Sequence, residues 1–561
     1  MKYVGITIGP IFKTIGEAIS PAGLWFGSYF FSTVTKKLCE KLVEIPTVKI
    51  FSPFYDSNSN QNPQDDGIGR YHDRILFLVD DNTVIEEALP NRISEVKKEM
   101  TEKFGVFNSG QIEKFGEFNT EEIEGFINNY LRIDFVIFDE KTMKEIIGKS
   151  GKDGNNIAII LNDALDALEL MAAGKGRTDK NLFAPFFAGK KDNRNVYIKG
   201  SKLFTATKLS SQLIIKPSDS DSDSNSDLKS IEDIALSRKK EESSSEEALD
   251  GEVAPIRSEY YAVVNSDGDK VGTLLKDLCR GVDISQQSDR INSFSKACLD
   301  YAGEAAELVG KYGGMTIYAG GDDLLFIAPV HSLFSLCSEL DETFKNTLKK
   351  GLKKILSDVE INVSLSFGVA VQYVKYPLYE ALERARVQLY KAKESCGKRP
   401  NGSEISGGNR LGIELVKHSG KTVQLMVENE KLEAIDNLIK YRATTNDQAL
   451  ESVLYNLQDT EIIFKLLFEK TAQNIFNFQE YKMRFLNNFN NPNQLSYHSY
   501  LNEIAKFFYD NYLKEYQYKY KPDTKVKVDG VCTKRNISIG EFYTKELQAI
   551  LFLVKFWQGG K

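Results

Sequence analysis

The stretch that most constrains this chain is Tyr318-Ala319-Gly320-Gly321-Asp322-Asp323-Leu324-Leu325-Phe326. An apolar run over 315–318 enters it and a second over 324–328 leaves it, which predicts two strands joined by a tight turn. Two glycines supply the positive φ that such turns need, and two carboxylates crowd the tip. Alone, Gly-Gly-Asp-Asp is also a common turn sequence with no chemistry attached. The surrounding chain decides between the two readings.

A strand is expected over 260–264, ended by Asn265-Ser266-Asp267-Gly268-Asp269. A helix over 284–311, the hairpin, a helix over 333–356, a strand over 363–371 and a helix over 378–396 follow. The order β-α-β-β-α-β is the split βαβ, or ferredoxin-like, pattern. In it the first strand and the central hairpin are neighbours. Asp267 and Asp269 therefore reach the same end of the sheet as Asp322 and Asp323. Converging carboxylates suit Mg²⁺ (or Mn²⁺), which takes oxygen ligands and keeps some water. Such a site activates a hydroxyl and stabilises the leaving group of a phosphoryl displacement. Gly320 and Gly321, with Gly268 and Gly272 across the sheet, would let a triphosphate or nucleoside approach the backbone. Two acidic turns facing one way are far less common by chance than one.

With 561 residues the chain is too long for a single core. Strands over 3–8, 48–51, 75–79 and 133–138 interleave with helices over 24–42, 84–104 and 157–172, giving a first α+β domain over 1–216. Composition then shifts to Ser, Asp, Glu and Lys without apolar periodicity, so 217–255 is expected to be a disordered acidic linker. The hairpin-bearing domain spans 256–428, with a further hairpin expected over 412–426. Residues 429–561 have helical periodicity and read as a C-terminal α-helical bundle. Its aromatics Phe464, Phe468, Phe476, Phe485, Phe507 and Phe508 fall at helical spacing, which fits core packing better than base stacking.

A net charge of −7 excludes a broadly basic surface, so nucleic acid would be held through local patches or partner proteins. The six cysteines include no Cys-x-x-Cys pair, which argues against a zinc finger or a disulfide framework. The N-terminus runs straight into a strand pattern with no signal peptide. The apolar run over 24–31 is too short to span a bilayer. A cytoplasmic protein without membrane contact is expected.

Three features resemble the nucleotide-cyclase palm shared with diguanylate cyclases: Gly-Gly-Asp-Asp at 320–323, Ser366-Phe367-Gly368-Val369-Ala370, and Leu389-Tyr390-Lys391-Ala392-Lys393 leading to Gly397-Lys398. Asp267-Gly268-Asp269 with Val271-Gly272, and Asp rather than Glu at 323, are closer to the large palm-bearing subunit of type III CRISPR effector complexes. Gly9-Pro10-Ile11 and the 24–32 stretch Leu-Trp-Phe-Gly-Ser-Tyr-Phe-Phe-Ser resemble the opening of its type III-B form, the Cas10/Cmr2 family. The resemblance covers nearly the whole chain. It implies two ferredoxin-like (βαββαβ) palm/cyclase domains, the first degenerate and the second catalytic, beside the helical domain. It also implies ATP as substrate, Asp267, Asp322 and Asp323 as metal ligands, and Gly268, Asp269, Gly320, Gly321, Ser366, Lys393 and Lys398 around the nucleotide. Other type III-B Cmr subunits, guide crRNA and target RNA are the implied partners.

Two departures refine the expectation. Many relatives carry an N-terminal HD nuclease domain, whereas this sequence opens at the first palm. Its only His-Asp dipeptide is His72-Asp73, and its four histidines are far apart, so DNase activity is not expected. The family's zinc-binding cysteines are also not in evidence. Where relatives have Asn-Arg, this chain has Asp73-Arg74. A carboxylate facing the nucleotide site would attract a cation such as the sulfonium of S-adenosylmethionine, or be a neutral Asn/Asp exchange. One branch of the family joins ATP to S-adenosylmethionine. The implied function is a target-RNA-activated nucleotidyltransferase making an ATP–S-adenosylmethionine conjugate (SAM-AMP). The alternatives are a cyclic oligoadenylate synthase and, from another class, a non-catalytic scaffold subunit.

Overall fold

The strand expected over 3–8 forms as β1 (Lys2–Gly9), whose interior residues are all buried because Tyr3, Val4, Ile6 and Ile8 face packed layers. The computed structural model describes residues 1–58, 61–63, 65–111, 119–149, 156–172, 209–214, 228–237, 258–356, 361–394, 397–398, 404–405, 407–441, 448–489, 495–514, 526–527, 536–537 and 539–558. It is a mixed chain of helices around two main sheets.

In the first sheet β1 lies beside β3 (Arg74–Val79) and β4 (Arg132–Asp139), with β2 (Lys49–Ser52) at the edge. The order is β2-β3-β1-β4, and every pair is antiparallel. The helix Pro21–Leu42 is apolar almost all round and buried along most of its length, as such a helix must be. It starts before the expected residue 24 because Ser20 caps Gly23 N–H at 3.1 Å and Pro21 is preset for the first turn. The helix Thr120–Tyr130 escaped the sequence reading, although Asn119 and Glu122 form its capping box.

The second sheet has the order β12-β11-β8-β5-β7-β6. Its centre is β5 (Tyr260–Asp269), flanked by β7 (Asp323–Pro329) and β8 (Ser364–Tyr373); β6 (Met315–Gly320) is the outer arm of the hairpin. A two-residue pair, β9 (Gly397–Lys398) and β10 (Glu404–Ile405), precedes β11 (Arg410–Val416) and β12 (Thr422–Glu428), which form the hairpin expected over 412–426. The helices Ile284–Lys311 and Leu333–Leu352 pack on each other, with Tyr301 edge-on to Phe344 at 4.9 Å.

The expected linker over 217–255 needs correction. Residues 228–237 pack rather than dangle: Leu228 pairs with Ile214, and the short helix Ile231–Ala235 buries Ile231 and Ile234 against β5 and β7. Three apolar residues between two polar tracts were enough to anchor this piece. The remainder of 217–255 lies outside the described residues.

Helices Leu432–Lys440, Gln448–Asp459, Glu461–Ala472, Phe478–Leu486, Leu495–Phe508 and Ile539–Trp557 make up the C-terminal region. Phe464, Phe468, Phe485, Phe507 and Phe508 are buried in it, while Phe476 lies under the Arg484 guanidinium at 4.2 Å. The last helix reaches back to the second sheet, where Trp557 Nε1 donates to Val330 O at 2.8 Å. Among the described residues no helix is long and apolar enough to cross a membrane.

Candidate functional site at the end of β5

The hairpin closes with Gly320 paired to Asp323, so its loop is two residues, Gly321 and Asp322. Gly321 has φ +69°, the left-handed value wanted at the first loop position of a type II′ turn. Asp322 is therefore the tip and Asp323 the first residue of β7, rather than both being tip residues. The register β5–β7 (Ser266 opposite Leu324) puts Asp267 and Gly268 beside them. Gly268 is needed for its bareness: a Cβ there would stand 2.7 Å from Asp322 Oδ2 and 2.8 Å from Asp322 Cβ. The clearance expected to admit a triphosphate is taken up by the chain's own carboxylate.

Lys393, in the last turn of the helix Leu378–Glu394, ion-pairs with Asp267. The expected role was a triphosphate contact; the ammonium here neutralises the Asp267 carboxylate. Burial raises the pKa of Asp267 and Lys393 pulls it back down. Asp322 is pushed up to about 6, first by burial and then by the charge of Asp267. Asp323 has an exposed side chain at the start of β7. Loss of water there, then Asp322 and Asp267, push its pKa well up.

Asp269 and Ser366 were expected at the nucleotide, and the structure corrects both. Asp269 is buried and accepts from Ser366 Oγ at 2.8 Å, Ser364 Oγ at 3.0 Å and Asn409 N–H at 2.6 Å. Two residues on from Asp267, it is held by the neighbouring strand β8 and by the turn before β11. That turn also takes Gly408 N–H to Ala392 O at 3.0 Å and Asn429 N–H to Asn409 O at 3.1 Å. One knot thus fixes the end of β5, the end of the Lys393 helix and the start of the C-terminal region. Sequence reasoning missed Ser364, Gly408 and Asn409; the only signal was Ser364-Leu365-Ser366, whose alternation puts both hydroxyls on one side of β8. Lys398 lies in β9 with its backbone paired to Glu404.

The first lobe contributes a strap over 65–73. Asp66 holds Arg70 with two bonds, at 2.7 and 2.9 Å, and Trp25 Nε1 donates to Gly67 O at 2.6 Å. Gly69 then pairs in parallel with Tyr318, with Ala319 N–H donating to Gly69 O at 2.9 Å. The strap thereby covers the edge of β6, and Gln212 covers more of it through Thr316 N–H at 2.9 Å. Asp73 sits close enough to the hairpin for its charge to act on Tyr318 and Asp323, and burial raises its own pKa. His72 beside it has both ring nitrogens engaged within the protein. Its Nδ1 accepts from Arg74 N–H at 3.3 Å and its Nε2 meets Ser52 Oγ at 3.2 Å; burial pushes its pKa down to about 4.

The structure thus brings together Asp267, Gly268, Gly320, Gly321, Asp322, Asp323, Lys393 and, from the other lobe, Asp73. Among the described residues no three His, Cys, Asp or Glu side chains already stand as a metal cage. The expected trio is instead two adjacent carboxylates with a lysine partner and a third carboxylate nearby.

Comparison with known proteins agrees with this arrangement. Residues 260–400 match the family model "Cas10/Cmr2, second palm domain", and residues 3–105 match "CRISPR-associated protein Cmr2, N-terminal". The CRISPR system Cmr subunit Cmr2 of Pyrococcus furiosus is 29% identical over 184 residues, which is 29% of this chain and only 19% of that protein. The apo type III-B Cmr-beta structure shares the fold, with a TM-score of 0.51 and 11% identity over 100% of this chain and 82% of that one. One family model takes in three strands of the first sheet and its buried helix, the other Asp267, Asp322, Asp323 and Lys393 of the second, and both bear the same name: the chain belongs to the Cas10/Cmr2 family of type III-B CRISPR systems.

Proposed function

We propose that the two sheets are ferredoxin-like palms, the first degenerate (1–216) and the second catalytic (256–428), beside a helical bundle (429–561). The chain acts as a nucleotidyltransferase switched on by target RNA. It joins ATP to an acceptor, favoured as S-adenosylmethionine. The observation that carries this reading is the meeting of Asp267, Asp322 and Lys393 at one sheet end, with Asp73 of the other lobe facing the same hairpin.

The residues suit a divalent cation. Two adjacent half-buried carboxylates, with Asp267 raising the pKa of Asp322, are relieved by a cation, and Lys393 already supplies a positive charge there. Asp267 and Asp322, with Asp323 beside them, would hold Mg²⁺ together with water and phosphate oxygens. When bound there the ion supplies charge neutralisation and a more acidic attacking hydroxyl. This chain's own groups do the rest. Lys393, released from Asp267, moves its charge to the triphosphate. The first turn of the helix Val271–Cys279, with no side-chain cap, offers backbone N–H groups to phosphate. The acceptor's hydroxyl oxygen bonds to the α-phosphorus as the bond to the β-phosphate oxygen breaks. Pyrophosphate leaves, and the hydroxyl proton passes to water. Asp73 favours a cationic acceptor over a second triphosphate. Guide RNA, target RNA and the other Cmr subunits complete the assembly that controls the reaction.

The test is an assembled complex given radiolabelled ATP, Mg²⁺ and cognate target RNA, with and without S-adenosylmethionine. A product that needs both cosubstrates supports the reading. A ladder from ATP alone replaces the acceptor with ATP. No product at all, with Asp322→Ala/Asp323→Ala like wild type, makes the chain a scaffold.

A further inference from the structure

Tyr318 lies where the hairpin, the edge strand and the strap from the first lobe meet. It lies in β6, where the register to β7 shifts between Thr316 and Tyr318, and such an irregularity re-aims the side chain that follows. The ring folds over Gly320. A Cβ on that glycine would stand 2.3 Å from Tyr318 Oη and 2.6 Å from Cζ, so the phenol lies across the backbone just before the acidic turn. On the other side its backbone pairs with Gly69 of the strap. The charges of three carboxylates, Asp323, Asp73 and Asp322, act on it.

A phenol among three carboxylates would ordinarily donate to one of them. This one donates to none, and its hydroxyl has no hydrogen-bond partner among the described residues. The side chain is only partly covered, and its hydroxyl is not among the buried, unpartnered polar atoms. Burial and the neighbouring negative charges hold its pKa far above the usual phenol range, so it stays a donor. A polar atom held in place by glycine contact on one side and a strand bridge on the other, with its bond unspent, is prepared for a ligand. Its neighbours narrow the class. The phenol is a donor and the carboxylates, when ionised, are acceptors, so a group bound among them must accept from the one and donate to the others. A ribose hydroxyl does both; a bare phosphate oxygen among these charges does not.

We infer that Tyr318 is a binding residue for the acceptor, its hydroxyl donating to a ribose hydroxyl of the adenosine-bearing molecule lodged between the lobes. This rests on the nucleotidyltransferase reading and adds to it a contact that selects ribose. Tyr318 belongs to β6, the strand beside the strap, whereas Asp267, paired with Lys393 where the donor triphosphate is placed, lies on β5 beyond β7. Loss of one such bond is worth about tenfold in affinity.

The experiment is equilibrium dialysis of the full chain with radiolabelled S-adenosylmethionine in the presence of saturating Mg²⁺ and a non-hydrolysable ATP analogue. Binding of the analogue alone is measured in parallel. Tyr318→Phe keeps the ring over Gly320 and removes only the hydroxyl. The expected result is about a tenfold rise in the S-adenosylmethionine Kd with the analogue's stronger site unchanged within twofold. Gly320→Ala, whose methyl would displace the ring, should weaken the same ligand. If wild type binds S-adenosylmethionine and Tyr318→Phe matches it within twofold, the role given to Tyr318 is overturned while the reaction stands. If wild type takes up two analogue molecules and no S-adenosylmethionine, the acceptor is ATP. Tyr318→Phe must then weaken the second analogue molecule alone, and an equal loss at both sites overturns the inference. If wild type binds neither ligand, the nucleotidyltransferase reading falls and this inference with it.

Discussion

At the scale of single residues, the acidic end of β5 is costly to the fold. Asp322 and Asp267 are crowded, partly buried and mutually repelling, with Lys393 as the compensating charge. A carboxyl whose folded pKa is raised destabilises the fold at pH above that value, and this cost fades as pH falls towards the unfolded pKa. Asp322→Asn should therefore raise stability near neutral pH, by about 1–2 kcal/mol in EDTA, while product formation falls at least a hundredfold. A melting curve in chelator beside the activity assay checks both; a lower melting temperature would mean that Asp322 is structural. His72 has the opposite proton balance. Its folded pKa, about 4, lies below the ordinary value, so the unfolded chain binds the extra proton and stability drops as pH falls from about 6.5 towards 4. The loss amounts to about 3 kcal/mol, and His72→Gln should flatten that part of the stability–pH curve. Asp73→Asn should weaken use of S-adenosylmethionine while leaving uptake of the ATP analogue unchanged. An unaltered rate at limiting S-adenosylmethionine would remove Asp73 from the site.

At the scale of elements, the strands and the hairpin were legible because short apolar runs and turn residues are local signals. The strands expected over 315–318 and 324–328 form as β6 and β7, each running one or two residues further, so that Asp323 joins β7. What was not legible depends on contacts distant in sequence. Asp269 reads like its neighbour Asp267, yet Ser364, Ser366 and Asn409, about 95 to 140 residues away, claim it. Lys393, singled out in the sequence, reaches Asp267, but no local rule tells whether its ammonium rests on a carboxylate or a phosphate. Leu228 and Ile231 were submerged in a polar stretch whose average composition hid them. The Asp269 knot yields its own test. Ser366→Ala removes a donor from a buried carboxylate and should cost about 2 kcal/mol of stability. It should also loosen the spacing of Asp267 and Lys393, seen as a lower rate at saturating ATP. Unchanged stability and rate together would show that Asp269 needs no such support.

At the scale of the whole molecule, two lobes share one edge. The strap over 65–73 runs from a first lobe built round an apolar helix to the outer strand of the second, and Gln212 adds a second tie. The C-terminal helices reach the same sheet end through Asn429, whose Nδ2 donates to Leu365 O at 2.8 Å. The acidic turn is thus held by three parts of the chain, and a signal arriving at either flanking part has a physical route to it. The measurement that bears most directly on this account is product analysis from the assembled complex, with labelled ATP, Mg²⁺ and target RNA, with S-adenosylmethionine present or absent. The account predicts one labelled product that appears only when both ATP and S-adenosylmethionine are supplied and vanishes in Asp322→Ala/Asp323→Ala. An ATP-only ladder, or equal output from the double variant, would contradict it.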